Sequence, residues 1–163
     1  PIISNISIKV NSYTKAEYLI MENVRITDDK NQIDLDTVHQ FLKTTYWSKD
    51  IPKEIVQKAI DNSLSVGLLL EDQLIGFGRS ITDYATFAYI ADIYVKPEYR
   101  GRGYSKMIVQ ALLDKSGSED LRRILLATSD AHGLYRKFGF KNLGNPQDFL
   151  EINRPTIYQK KAE

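Results

Sequence analysis

The stretch from Tyr89 to Ser105 constrains the fold of this chain more than any other segment. An apolar run over Tyr89–Val95 ends at Lys96-Pro97, and a short glycine-rich loop follows at Arg100–Ser105. Behind this loop, apolar residues recur at intervals of three and four, which is typical of an amphipathic helix. They are Tyr104, Met107, Ile108, Ala111 and Leu112. A strand, a glycine-rich turn and a helix in this order suit a phosphate group, because backbone N–H groups can approach the anion closely.

Two common phosphate-binding patterns are absent from this stretch. The spacing G-x-x-x-x-G-K-[ST] does not occur, and G-x-G-x-x-G fails because Lys106 stands at its last position. The pattern [RQ]-x-x-G-x-[GA] fits Arg100 and Gly103, with Ser105 in place of the final Gly or Ala. This motif resembles the acyl-CoA-binding loop of the GNAT superfamily of N-acetyltransferases.

A second motif lies further along the chain, at residues 131–140. Ala131, Leu134, Tyr135 and Phe138 are spaced as one face of a short helix, and Gly139 is positioned to end it with left-handed backbone. The segment AHGLYRKFGF resembles the other GNAT signature, A-x-x-L-Y-x-K-x-G-F, although Thr128 stands where that family often has Asn. The two motifs come in the family's order, with one helix and one strand between them.

The resemblance implies an α/β fold and a cosubstrate. The expected fold has a central, mostly antiparallel mixed sheet that splays between its fourth and fifth strands, with helices on both faces. Acetyl-CoA would lie in the splay, with its pantetheine arm along the fourth strand and its pyrophosphate on the loop. The residues implied in binding it are Ile93, Tyr94, Val95, Arg100, Gly101, Arg102, Gly103, Tyr104 and Ser105.

The resemblance also implies a direct attack of an amine on the thioester, with Tyr135 donating to the departing sulfur. Tyr135 also reads as a core aromatic, since it lies on the apolar helix face. Three sources remain open for the base. Asp92 is an acid inside an apolar run, His132 is a histidine one turn before Tyr135 and histidine is a common catalytic base, and a water chain needs no dedicated residue. Strict alternation would turn Asp92 away from Ala91 and Ile93, where it could instead pair with an arginine.

The acceptor site is expected between the first two helices and the turn before the long strand. Its candidate lining residues are Trp47, Tyr46, Asp83, Tyr84 and Phe87. An aromatic, mildly acidic pocket suits a small amine, although aromatic clusters are more often core.

Composition narrows the class of protein. At 163 residues the chain is expected to be one N-acetyltransferase domain over 1–163, with 1–17 as an extra strand or a loose arm. The chain has no cysteine and only two histidines, so we expect no disulfide and no metal site. The net charge of +1 gives no indication of nucleic acid or membrane as a partner. We expect a cytoplasmic protein, monomeric or homodimeric.

Hydrophobic periodicity predicts the remaining elements. Strands are predicted over 18–27, 66–71, 74–82, 85–95 and 121–128, with two weaker ones in the tail from 140 to 160. Helices are predicted over 34–46, from Pro52 to about 60, after the glycine loop, and at 131–138. A two-residue turn at Asp72-Gln73 is expected to join the second and third strands.

The sequence therefore favours an acetyl-CoA-dependent N-acetyltransferase acting on a small-molecule amine. A GNAT-fold module that binds acyl-CoA as a sensor or scaffold, without turnover, is the alternative. Retention of Tyr135 together with the loop Arg100–Ser105 favours the enzyme. A modifier of protein or tRNA amines is a third and weaker interpretation, which the near-zero net charge does not support.

Overall fold

A five-stranded mixed sheet organises the protein, whose computed structural model describes residues 23–159. The strands run in the spatial order in which they occur along the chain. The first four are antiparallel to their neighbours, and the fifth is parallel to the fourth. They are β1 (Val24–Thr27), β2 (Leu64–Leu70), β3 (Gln73–Thr82), β4 (Phe87–Val95) and β5 (Arg123–Leu125).

Within the described residues, three α-helices lie between the strands and a fourth follows β5. They are α1 (Leu35–Leu42), α2 (Lys53–Asp61), α3 (Tyr104–Lys115) and α4 (His132–Arg136). The carboxylate of Asp34 fixes the start of α1, since it accepts a hydrogen bond from the Thr37 N–H at 2.9 Å. No helix within residues 23–159 is long and apolar enough to cross a membrane.

The helices cover both faces of the sheet, as predicted. Helices α1 and α2 pack on one face, where Leu69, Leu74 and Phe77 contribute to their core. Helix α3 packs on the opposite face through Ile108 and Leu112. On that face it approaches the backbone of β3 very closely, because a Cβ on Gly78 would lie only 2.6 Å from the Ile108 side chain. The mixed α/β fold expected from the resemblance is therefore confirmed.

Strand β4 carries a bulge near its middle. Ala91 pairs with Arg79 and Tyr94 pairs with Phe77, so β4 has one more residue than β3 between these two pairs. The extra residue is Asp92, whose φ of 57° is left-handed. Strict alternation was therefore the wrong guide here: Ala91 and Asp92 lie on the same side as Arg79, and Ile93 turns to the α3 side.

The parallel pairing of β4 with β5 is short. It covers only three pairs and ends at Tyr89 with Leu125, while β4 continues to Val95. Beyond Tyr89, β4 therefore has no strand beside it on the β5 side among the residues described. This divergence of the fourth and fifth strands is the expected splay.

Several predicted boundaries were wrong in the first half of the chain. Helix α1 stops at Leu42 instead of 46. The hairpin turn is Glu71-Asp72, both with positive φ, and not Asp72-Gln73. Strand β1 begins at Val24 within the described part, and the expectations for residues 1–22 fall outside it.

The second half differs more. Strand β5 has three residues, where a strand over 121–128 was predicted. Residues 140–159 form no strand, and the short 3-10 turn Pro146–Asp148 stands where one was expected. Pro146 and Pro155 interrupt this segment, and neither proline has a backbone N–H to donate to a neighbouring strand.

Candidate active site

A cleft of about 530 Å³ opens where β4 leaves β5. One wall is the bulged part of β4, from Tyr89 to Ile93, and the opposite wall is the loop from Ala127 to Ala131. The α1–α2 loop and two side chains from elsewhere complete the lining. These are Tyr46, Trp47, Ser48, Arg79 and Tyr135. The splay in the sheet therefore produces an open site at the bulge.

An ion pair forms the floor of the cleft. The Arg79 Nε lies 2.5 Å from one carboxylate oxygen of Asp92, and the Trp47 indole N–H donates to the other at 3.0 Å. The Asp92 side chain is only 7% exposed. Both oxygens of Asp92 are thus engaged, and the arginine pairing considered from the sequence is present.

Replacing Arg79 by methionine should lower the free energy of unfolding by about 3 kcal/mol, because a buried carboxylate would lose its countercharge. Arg25 offers a matched control, since it makes a similar pair with Asp72 on the surface, where the side chains are 47% and 85% exposed. Arg25→Met should cost about 1 kcal/mol or less. Urea unfolding measures both variants, and equal losses would contradict a structural role for the Arg79–Asp92 pair.

Two aromatic residues of the α1–α2 loop bridge the cleft. The rings of Tyr46 and Trp47 are perpendicular, with centroids 4.9 Å apart. The hydroxyls of Tyr46 and Ser129 are 2.7 Å apart across the cleft, and the Ser129 N–H donates to the Tyr46 hydroxyl at 3.3 Å. The Trp47 ring is thus held at the floor of the cleft by Asp92, and the Tyr46 ring is held at the opposite wall by Ser129.

Tyr135 stands at the back of the cleft, on α4. Only 9% of it is exposed, and its ring packs edge-to-face on Phe140 with centroids 5.9 Å apart. Burial raises the pKa of Tyr135 to about 12, and the negative charge of Asp130 adds to this effect. The hydroxyl therefore stays protonated at neutral pH, so it can donate and cannot serve as a base. Tyr135 is therefore a buried aromatic of the α4 core and also lines the cleft.

His132 does not share this cleft. It is exposed at the start of α4 and lines a neighbouring cavity of about 260 Å³, with Tyr135 between the two spaces. In the loop before α4, the Thr128 hydroxyl accepts a hydrogen bond from the Ala131 N–H at 3.0 Å.

Asp83, Tyr84 and Phe87 also lie outside the cleft lining. Asp83 organises the β3–β4 turn. Its carboxylate accepts hydrogen bonds from Thr86, which contribute most to its pKa, and from the N–H groups of Ala85 and Phe87. These bonds hold the pKa of Asp83 below its usual range. Of the five predicted acceptor-site residues, Tyr46 and Trp47 line the cleft and these three do not.

The glycine loop precedes α3 at the other end of β4. Gly101 and Gly103 have φ values of 78° and 83°, which side-chain-bearing residues rarely adopt. Apart from their own chain neighbours, no heavy atom of residues 23–159 lies within 4 Å of where their Cβ atoms would be, so the loop surface is open to that part of the chain. Within residues 23–159, the backbone N–H groups of 101–105 donate no hydrogen bond. This row of donors at the start of α3 fits a phosphate group.

The two arginines of the loop differ in their contacts. Arg100 donates from Nε to the Val95 carbonyl at 3.0 Å, and its guanidinium lies 5.5 Å from the Tyr94 ring centroid. Arg100 therefore fastens the loop to the end of β4. Arg102 is exposed, over the Tyr99 ring at 5.8 Å.

Ten of the fifteen described residues that line the cleft were not predicted from the sequence. Arg79 and Tyr89 looked like ordinary strand residues, and Ser129 and Asp130 like loop residues. A signal existed for Arg79, since an arginine in an apolar strand needs a partner and Asp92 offers one. No sequence signal pointed to Ser129, because its bond to Tyr46 spans 83 positions of the chain.

Comparison with known proteins gives a consistent result. The sequence model of the acetyltransferase (GNAT) family matches residues 35–140. A crystal structure from Xanthomonas campestris, described as belonging to the GNAT family, is 44% identical, covers 84% of this chain and 97% of its own, and superposes with a TM-score of 0.81.

Two further relatives extend the comparison. A Gibberella zeae protein classed among the acetyltransferases is 27% identical and covers 89% of this chain and 88% of its own length. A Clostridium acetobutylicum protein solved with acetyl-CoA shares the fold, at a TM-score of 0.59 and 21% identity, over 80% of this chain and 95% of its own.

Proposed function

Because the chain belongs to the GNAT acetyltransferase family, we propose that it transfers the acetyl group of acetyl-CoA to an amine that attacks the thioester directly. The observation that carries this proposal is the arrangement along β4. A loop with unpaired N–H groups stands at one end of the strand, and the cleft containing Tyr135 opens beside its bulge. A ligand with a phosphate end and a reactive end would need both.

The loop fits the phosphate end of the cosubstrate. The N–H groups of 101–105 and the guanidinium of Arg102 would bind the pyrophosphate, and Arg100 would hold the loop in place. The edge of β4 from Ile93 to Val95 would bind the amides of the pantetheine arm, since β5 does not pair with it there. Acetyl-CoA supplies a thioester carbon that an amine can attack without an enzyme nucleophile.

Tyr135 would assist the departing sulfur by donating a hydrogen bond. Its pKa of about 12 exceeds the value of roughly 8.5 that is usual for a thiol. A complete proton transfer from tyrosine to thiolate would therefore be uphill, and the hydroxyl acts mainly by stabilising the negative charge on sulfur.

An ammonium acceptor must lose two protons overall, one to the sulfur and one to solution. Asp92 is poorly suited to take the second, because Arg79 and Trp47 occupy its oxygens. His132 lines the neighbouring cavity. Of the three sources considered from the sequence, water in the open cleft is the one that this geometry favours.

Acetyl transfer can be tested with a panel of primary amines. Incubation with acetyl-CoA should release free CoA, detected with a thiol reagent, and mass spectrometry should find the amine heavier by one acetyl group. Omitting the amine gives the background rate of hydrolysis. Tight acetyl-CoA binding without CoA release for any amine would instead favour the sensor or scaffold alternative.

A further inference from the structure

The charges lining the cleft do not cancel. In the part of the chain that the structure describes, the charged side chains that line it are Arg79, Asp92 and Asp130. The first two neutralise each other through their ion pair. Asp130 is exposed, and its side chain accepts only a long hydrogen bond of 3.5 Å from Thr128 within the described residues. The cleft therefore presents one uncompensated negative charge.

Aromatic side chains stand beside this charge. Tyr46 reaches across the cleft to Ser129, the residue directly before Asp130, and Trp47 lies perpendicular to Tyr46. The face of an aromatic ring attracts a cation, and the attraction grows when water is displaced. The rings and the carboxylate thus favour the same kind of ligand, one with positive charge.

We propose that Asp130, Tyr46 and Trp47 form a cation subsite, and that the acceptor is a cationic amine with no acidic group close to its nitrogen. This inference rests on the proposed acetyl transfer and narrows its substrate class. An α-amino acid would fit poorly, because its carboxylate would enter a cleft of net negative charge where the Nε of Arg79 is already engaged by Asp92. An amine such as phenethylamine lacks that group.

The effect of Asp130 reaches the centre of the cleft. Its negative charge is the second contribution, after burial, to the raised pKa of Tyr135. A charge that is felt at this hydroxyl also acts on an ammonium held between the two residues. The field of Asp130 therefore extends to the region where the acceptor nitrogen would react.

Binding of an unreactive cation tests the subsite separately from catalysis. Choline carries a quaternary nitrogen that cannot be acetylated, and 3,3-dimethylbutan-1-ol has nearly the same shape without the charge. Trp47 is the single tryptophan of the chain and lines the cleft, so its fluorescence reports binding. With CoA present, we expect choline to bind about 10-fold more tightly than the neutral alcohol.

Asp130→Asn should reduce this preference to about 2-fold, since it removes the charge and keeps the size. Asp120→Asn is the matched control, because Asp120 is also an exposed loop carboxylate but does not line the cleft; it should leave the preference unchanged. Equal binding of the two probes to the unmodified protein, or an unchanged preference in Asp130→Asn, would overturn the subsite.

Acetylation assays then separate the two levels of the inference. Phenethylamine should be acetylated with a kcat/KM at least about 10-fold above that of phenylalanine, and Asp130→Asn should narrow the difference. Charge-dependent choline binding without acetylation of any amine would refute the proposed function and leave the cation subsite standing. Acetylation with no preference between the two amines would refute the substrate class alone.

Discussion

Tyr135→Phe should lower kcat by about 100-fold, which is the low end of the usual contribution of one hydrogen-bond donor to a developing negative charge. The variant keeps the ring on Phe140 and removes only the hydroxyl. The departing thiolate is already a fair leaving group, so we do not expect a larger loss. Measurements with saturating amine should find kcat lowered, while the melting temperature and the affinity for acetyl-CoA stay close to their original values.

The neighbouring tyrosine provides a control for Tyr135. Tyr89 also lines the cleft, on β4, so Tyr89→Phe removes a hydroxyl from the same space. We expect that variant to keep kcat within about 3-fold. A second check uses pH: with a pKa of about 12, loss of the Tyr135 proton should not reduce kcat below about pH 10. An unaltered kcat in Tyr135→Phe would leave this residue with a packing role only.

Ser105→Glu should weaken CoA binding by about 100-fold, because a carboxylate would stand within several ångströms of the bound pyrophosphate. The same change should not harm the fold. Ser105 is the second residue of α3, whose first turn holds no acidic residue. A negative charge there interacts favourably with the positive end of the helix dipole and stabilises the helix. Affinity and stability should therefore move in opposite directions, with a melting temperature equal to or slightly above the original.

Ser105→Gln separates charge from size at the same position. It should bind CoA within a few-fold of the original protein, since its side chain matches glutamate in length and carries no charge. Isothermal titration calorimetry at two salt concentrations would measure both variants, and added salt should partly restore binding to Ser105→Glu only. If both variants bind CoA alike, the pyrophosphate does not lie on this loop.

The fold was predictable where local patterns and sheet pairing agree. Strands β2 to β4 and helices α1 to α3 were expected from periodicity, and the structure contains each of them. The prediction for the tail failed because the apolar residues in 140–159 suggest strands only if a neighbouring strand is assumed. Periodicity reports what a segment would bury and contains no information on whether another strand lies beside it.

The candidate site was predictable only in part. The loop Arg100–Ser105 and Tyr135 lie in contiguous motifs, so their neighbourhoods could be inferred from one segment. The cleft walls depend on contacts between distant segments, such as Tyr46 with Ser129. The bulge itself left a trace: Ile90 and Ile93, three apart in a strand, both face α3, which regular alternation does not allow.

The bulge has a consequence for how this strand can vary. A chain lacking Asp92 would form a regular ladder, in which Ile90 and Ile93 would be two residues apart and would still share the α3 face. Shortening β4 by this one residue would therefore leave the same apolar residues facing the hydrophobic core. Core packing gives no reason to keep an aspartate with left-handed backbone at this position. The extra residue bends the strand beside the cleft and provides the carboxylate that fixes Arg79 and Trp47, so in homologous sequences its loss should accompany a different acceptor and not a different fold.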